Sequence, residues 1–199
     1  MKDKYIIGIT GGIGSGKSTI VDLLQQRGLP VYVADTEAKR LMNSNENIRT
    51  KIIEVFGEES YENNQLNRPF LAKQVFEDES KLEQLNRIVH PEVHKDFLNW
   101  ASKQTSKSVL YEAAILIEQG RQDFCDAVIL ITAPKEERIK RVMKRDGVTK
   151  EEVLARMERQ WSDDKKKNFA NISIENNNLN KIQENIDKIV KYLKDNHFL

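Results

Sequence analysis

Residues 11–19 read GGIGSGKST and follow directly on Tyr5–Thr10, a run that is almost all β-branched or aromatic and apolar on both faces. Such a run suits a central parallel strand covered by helices on either side. From Ser18 to Gln26 the apolar residues Ile20, Val21, Leu23 and Leu24 share one face of a helix that Gly28 is placed to end. Strand, glycine loop and helix therefore come in that order, and Gly11, Gly16, Lys17 and Ser18 fill every defined position of G-x-x-x-x-G-K-[ST]. A phosphate chain needs several backbone N–H groups converging on one point, and glycines let the chain turn and approach without a Cβ in the way. Gly12, Ile13, Gly14, Ser15, Gly16, Lys17, Ser18 and Thr19 are thus expected to line a nucleoside triphosphate. Lys17 brings a mobile cation to the β- and γ-phosphates, Ser18 a hydroxyl for Mg²⁺, and the helix its partially positive end.

The rest of the chain alternates strands with helices. Short strands are expected at Val31–Val33, residues 108–111, Ala127–Thr132 and residues 171–174, which makes five with the first. Helical patterns are expected from near Thr36, at 114–119 closed by Gly120, between 135 and 169 with a break at Asp146-Gly147 and a capping box at Thr149 and Glu152, and at 179–193. Residues 43–106 carry apolar side chains at helical spacing with no convincing strand, interrupted only at His90-Pro91. The alternation gives an α/β fold with a parallel sheet, whose ligands sit beyond the carboxyl ends of the strands. At 199 residues we read one domain, with core segments 1–42, 107–134 and 170–199, a helical insertion 43–106 and a helical lid 135–169.

Composition excludes several classes of function. Net charge is +1 with acids and bases interspersed, against a broad basic face for nucleic acid. The densest basic run, residues 165–167, reads as a solvated helix end. No apolar run is long enough for a membrane span or a signal-peptide core, and a cytoplasmic chain is expected. Cys125 is the only cysteine, so no internal disulfide or thiolate zinc cluster can form, and His90 and His94 lack a third ligand signal. Trp100 and Trp161 read as packing residues.

A phosphate cradle does not choose the acceptor. The chain has no D-x-x-G switch, and Asn180-Lys181-Ile182-Gln183 lacks the aspartate of a guanine-reading N-K-x-D, so a transfer enzyme fits better than a GTPase. Transfer calls for a carboxylate near the acceptor hydroxyl and for cations over the moving phosphoryl group. Asp35, just past the second strand, is either that base or an N-cap of the next helix. Arg138, Arg141 and Arg145 share a helix face and either close on ATP or form a solvated surface beside Glu136 and Glu137. His90 either binds an acceptor phosphate or ends a helix.

These segments together resemble the dephospho-coenzyme A kinase family along nearly the whole chain. The likeness lies in IGITGGIGSGKST, in VADTEAKRL with Asp35, in LNRIVHPEV at 85–93, in the lid-like stretch 137–160 and in NISIEN at 171–176. Ala114, Glu137 and Asn171 depart from the family's usual proline, glutamine and aspartate. The resemblance implies a three-layer P-loop NTPase core with a five-stranded parallel sheet, and transfer of the ATP γ-phosphate to the ribose 3′-hydroxyl of dephospho-CoA. It implies Asp35 as the base, Lys17, Arg141 and Arg145 on the transferring group, Arg87 and His90 near the acceptor, and Asn176 on the adenine side. Rivals with the same scaffold are a nucleoside or nucleoside-monophosphate kinase and a non-catalytic ATP-sensing module.

Overall fold

The computed structural model describes residues 4–178 and 181–199. In chain order its elements are β1 (Tyr5–Thr10), α1 (Lys17–Gln26), β2 (Val31–Val33), α2 (Ala34–Ser44), α3 (Glu46–Phe56), β3 (Tyr61–Glu62), β4 (Gln65–Leu66), α4 (Arg68–Glu77) and α5 (Glu79–Ser102). They continue with β5 (Ser108–Glu112), β6 (Ala127–Thr132), α6 (Lys135–Asp146), α7 (Lys150–Glu158), α8 (Asp163–Lys167), β7 (Ile172–Glu175) and α9 (Ile182–Asp195). Five strands form one sheet in the order β2-β5-β1-β6-β7, all parallel. The chain divides into two compact units, residues 1–33 with 104–199, and residues 34–103.

In the sheet-bearing unit, β5 and β6 are buried along their whole length, which is why they read as continuous apolar runs instead of alternating. Ile20, Val21 and Leu24 of α1 join Ile186, Ile189 and Leu193 of α9 over Ile7, Ile9, Leu110, Ile129 and Ile131 of the sheet. Each such side chain stabilises by on the order of 1.5–3 kcal/mol on leaving water. The register puts Ile9 and Val33 both opposite Glu112, so the ends of β1, β5 and β2 are level, and Thr132 pairs Glu175 at the ends of β6 and β7. The phosphate loop leaves the sheet at this edge, at the carboxyl ends where the strand order reverses direction.

The expected helix at 114–119 does not form. Its residues run through successive turns to Gly120, because the Ala114 carbonyl accepts the Thr10 hydroxyl at 3.3 Å and the Lys166 ammonium at 3.5 Å instead of serving a helical ladder. Asn171 bridges to β6 through both backbone and side chain: its N–H donates to the Val128 carbonyl at 2.9 Å and its Oδ1 accepts the Val128 N–H at 2.8 Å. The α6–α7 break falls at Gly147, and Thr149 and Glu152 form the reciprocal capping box. Of the helix expected from Leu179, the described part begins at Ile182, while Leu179 and Asn180 lie outside the described residues.

The unit 34–103 is helical, with α2, α3 and α4 packed on the long α5. Two corrections apply here. A small antiparallel hairpin, β3 with β4, turns on Asn63 and Asn64, both at positive φ, a conformation asparagine tolerates better than most residues. And α5 runs unbroken through Pro91. The proline forfeits a backbone bond, a cost of about 3 kcal/mol. Val89, Val93, Phe97 and Ala101, four residues apart and all buried, hold one continuous apolar stripe against the neighbouring helices and outweigh it. His90 and His94 therefore sit one turn apart on one unbroken helix, and His90 does not end it.

Candidate active site

The loop between β1 and α1 is shaped by contacts to its carbonyls. Gly16 caps α1 in the left-handed region at φ 88°, and a Cβ there would collide with the Asn176 side-chain amide. Gly12 is tight for another reason: a Cβ would strike the Arg138 guanidinium. Asn176, fully buried just beyond β7, donates its N–H to the Thr132 carbonyl at 2.7 Å and its Nδ2 to the Ser15 carbonyl at 2.9 Å. Lys17 donates its Nζ to the Gly11 carbonyl at 2.8 Å, lying back across the loop. With these carbonyls engaged, the loop N–H groups other than those of Ile13 and Ser15, together with those of the first turn of α1, can converge on an anion. Ser18 and Thr19 stand exposed in that first turn.

The three arginines of α6 do not act alike. Arg138, with a side chain 11% exposed, donates Nε to the Ile13 carbonyl at 2.8 Å and pairs with Asp163 at 3.2 Å. Arg141 donates to the Asn176 carbonyl at 2.9 Å and more loosely to those of Gly14 and Ser15. Arg145 is not brought to the loop: it is 61% exposed and pairs with Asp146, which also takes Arg156. Positions 138, 141 and 145 span two turns, so the third follows the helix off the end of the loop. The Arg145 guanidinium holds the Asp146 carboxyl below the usual carboxylate range, with Arg156 assisting.

The basic run at 165–167 is solvated at Lys165 and Lys167 but not at Lys166. Lys166 is fully buried and paired with Glu118 at 2.8 Å, whereas Lys165 lies over the Trp161 ring at 3.4 Å from its centre and Lys167 pairs with Asp164. Consecutive helical residues are about 100° apart around the axis, so a short run of one charge type distributes itself over inside and outside. Glu118 also accepts the Trp161 N–H at 3.1 Å. Neither this pair nor Gln160, whose Oε1 accepts the Ile13 N–H at 2.8 Å, is marked by any motif spacing. Only the partner positions, more than forty residues away in sequence for Glu118 and more than a hundred for Gln160, reveal them.

Glu112, 8% exposed, closes β5 between Ile9 and Val33 in register. Two residues beyond Val33 comes Asp35, in the helical unit. Since α2 starts at Ala34, Asp35 lies within the first turn instead of at the cap, and it is exposed. A carboxylate there is favoured by the helix dipole and keeps its oxygens available. Arg87 and His90, three residues apart on α5, share a face; Arg87 is 78% exposed with Glu83 at 3.2 Å, and His90 is half-buried. Among the described residues no group of three or more His, Cys, Asp or Glu side chains could hold a metal ion.

Residues 5–182 match the family model for dephospho-CoA kinase. The chain is 36% identical over 188 residues to a dephospho-CoA kinase of Bacteroides fragilis, covering 94% of this chain and 92% of that one. It is 41% identical over 174 residues to a dephospho-CoA kinase of Salinibacter ruber, covering 85% and 87%. The crystal structure of TT1252 from Thermus thermophilus superimposes with a TM-score of 0.86 at 36% identity, covering 98% of both chains.

Proposed function

The chain belongs to the dephospho-CoA kinase family, and from that premise we infer that it transfers the γ-phosphoryl group of ATP to the ribose 3′-hydroxyl of dephospho-CoA, giving coenzyme A and ADP. The observation that carries this reading is the coincidence of a family match over residues 5–182 with a complete phosphate loop at the carboxyl edge of a five-stranded parallel sheet.

Each residue then has a role. The N–H groups between Gly12 and Thr19 other than those of Ile13 and Ser15, which bond to Gln160 and Gly12, hold the β- and γ-phosphates, and Lys17 leaves the Gly11 carbonyl to neutralise charge as the bond to the β-phosphate oxygen breaks. Asp35 takes the 3′-hydroxyl proton as that oxygen attacks the γ-phosphorus. Arg87 and His90 receive the acceptor. Arg141, which also reaches the Gly14 and Ser15 carbonyls, bears on the transferring group, and Asn176 flanks the nucleotide on the adenine side while holding the Ser15 carbonyl. Arg145 reaches the transferring group only if α6 and α7 shift, since it now faces Asp146.

A divalent cation fits the donor set. The Ser18 hydroxyl is an exposed hard oxygen, and among the described residues no carboxylate cluster competes for the ion, as suits Mg²⁺, which keeps most of its ligands as water and phosphate oxygen. Bound there, Mg²⁺ would supply charge neutralisation at the β- and γ-oxygens. In this reading residues 43–106 form the acceptor-binding insertion, 135–169 the lid, and the enzyme works in the cytoplasm on a small-molecule substrate without nucleic acid.

Purified protein with Mg-ATP should convert dephospho-CoA to coenzyme A. Turnover of nucleosides or their monophosphates with dephospho-CoA left untouched would replace this acceptor with theirs, and ATP binding without any transfer would favour a sensing module.

A further inference from the structure

The most unusual residue of the phosphate loop is Ile13, because both polar groups of its backbone are held by side chains from the α6–α8 region. Its N–H goes to Gln160 Oε1 at 2.8 Å and its carbonyl to Arg138 Nε at 2.8 Å. Ile13 lies between Gly12 and Gly14, and glycines on both sides make rotation of its peptide cheap. A cradle of N–H groups binds well only when they already point inward, because ordering them at the moment of binding subtracts from affinity. The two side chains supply the restraint that the glycines lack.

Gln160 is itself anchored. The next residue, Trp161, donates its N–H to Glu118 Oε1 at 3.1 Å, and Glu118 takes the fully buried Lys166 at 2.8 Å. Lys166 also reaches the Ala114 carbonyl, which accepts the hydroxyl of Thr10, the residue immediately before Gly11. One buried pair thus stands behind the loop at its root, through Thr10, and at its crest, through Gln160. A buried pair of this kind is poor evidence for stability, since apolar residues often replace one without loss. What an apolar pair cannot do is accept the Trp161 N–H and a lysine together, and so fix the direction in which residue 160 leaves α7.

We propose that Gln160 is a positioning residue for the phosphate loop and that Glu118 and Lys166 act through it, holding the loop in its nucleotide-receiving shape before ATP arrives. The proposal rests on the kinase reading for its meaning, but ATP affinity and Ile13 amide exchange decide it whichever acceptor is phosphorylated. In the ligand-free full-length protein, Gln160→Ala should speed amide exchange at Ile13, resolved by NMR. It should also raise the ATP dissociation constant about three- to tenfold, the loss of one hydrogen bond, with the KM for dephospho-CoA unchanged. Gln160→Glu keeps an acceptor oxygen and should retain the Ile13 protection.

The anchor is tested by the double variant Glu118→Leu with Lys166→Leu, which removes both charges and so leaves no unpaired ion in the core. Its ATP affinity should fall at least as far as in Gln160→Ala, and adding Gln160→Ala should weaken binding no further, because residues acting through one contact are non-additive. Unchanged Ile13 exchange and ATP affinity in Gln160→Ala, or a rise in both KM values alike, would overturn the role of Gln160. Additive losses would overturn that of the pair. If the wild type bound ATP but phosphorylated another acceptor, the assigned substrate would fail while the binding results still decided the positioning role.

Discussion

The phosphate loop and the face of α5 that carries Arg87 and His90 are built on opposite plans. The loop is finished: Gly11, Ile13, Gly14 and Ser15 each have a carbonyl engaged by Lys17, Arg138, Arg141 or Asn176. The α5 face is open, with Arg87 78% exposed on a surface ion pair. Asp35 is exposed as well. Under the proposed function the difference follows from what each would hold. Phosphates are recognised by backbone groups, which only a fixed fold can aim, whereas a long flexible acceptor is gathered by mobile side chains that pay their ordering cost when it binds.

The sharpest way to break this comparison is Asp35→Asn. We expect ATP affinity to stay at the wild-type level and kcat to fall by roughly 10²–10⁴, the usual consequence of losing a general base, measured by equilibrium binding beside steady-state assay. A variant that bound ATP poorly would show that Asp35 belongs to the finished region after all.

A smaller effect is expected from Arg87→Ala. An exposed arginine that meets the acceptor should raise the KM for dephospho-CoA by about tenfold and leave the KM for ATP alone, since one charge-assisted hydrogen bond contributes ~1.5 kcal/mol. Equal changes in both constants would mean that the open face also serves the nucleotide.

The smallest effect is one of pH. Asp146 beside Arg145, and Glu152 in the Thr149 capping box, both have carboxyl groups held below the usual range, by the arginine and by the Thr149 N–H respectively. A folded-state pKa below the unfolded one contributes stability that is present above the ordinary carboxylate range and is lost as pH falls through the folded value. Amide exchange in α6 and α7 should therefore rise in acid before the sheet loosens. Because both groups are at the surface the change is slight, and simultaneous loosening of β5 and β6 would show that α6 and α7 are no separate layer of stability.

What was legible in the chain was whatever short-range pattern carries. The strands Tyr5–Thr10, Val31–Val33 and Ala127–Thr132 agree with the apolar runs, and the Thr149–Glu152 capping box with its spacing, because both depend on neighbours in sequence. The readings that failed were decided at long range. Pro91 did not stop α5, because a buried stripe from Val89 to Ala101 outweighs one missing backbone bond. Residues 114–119 did not become a helix because Thr10 and Lys166 claim the Ala114 carbonyl. Lys166 is buried because Glu118 waits for it.

The same division runs through the site. G-x-x-x-x-G-K-[ST] after an apolar strand determined by itself that this chain makes a phosphate cradle, since the required backbone angles and the lysine are properties of those residues alone. Which side chains brace the cradle is a tertiary matter. Arg138, Arg141 and Arg145 share a helix face, yet only the placement of α6 over Ile13 and Gly14 decides that the first two support the loop and that Arg145 turns to Asp146. Gln160 had no signal at all, because a single hydrogen bond across 147 positions leaves no periodicity behind it. Spacing along a chain records what a residue can do locally, and only packing settles which partner it meets.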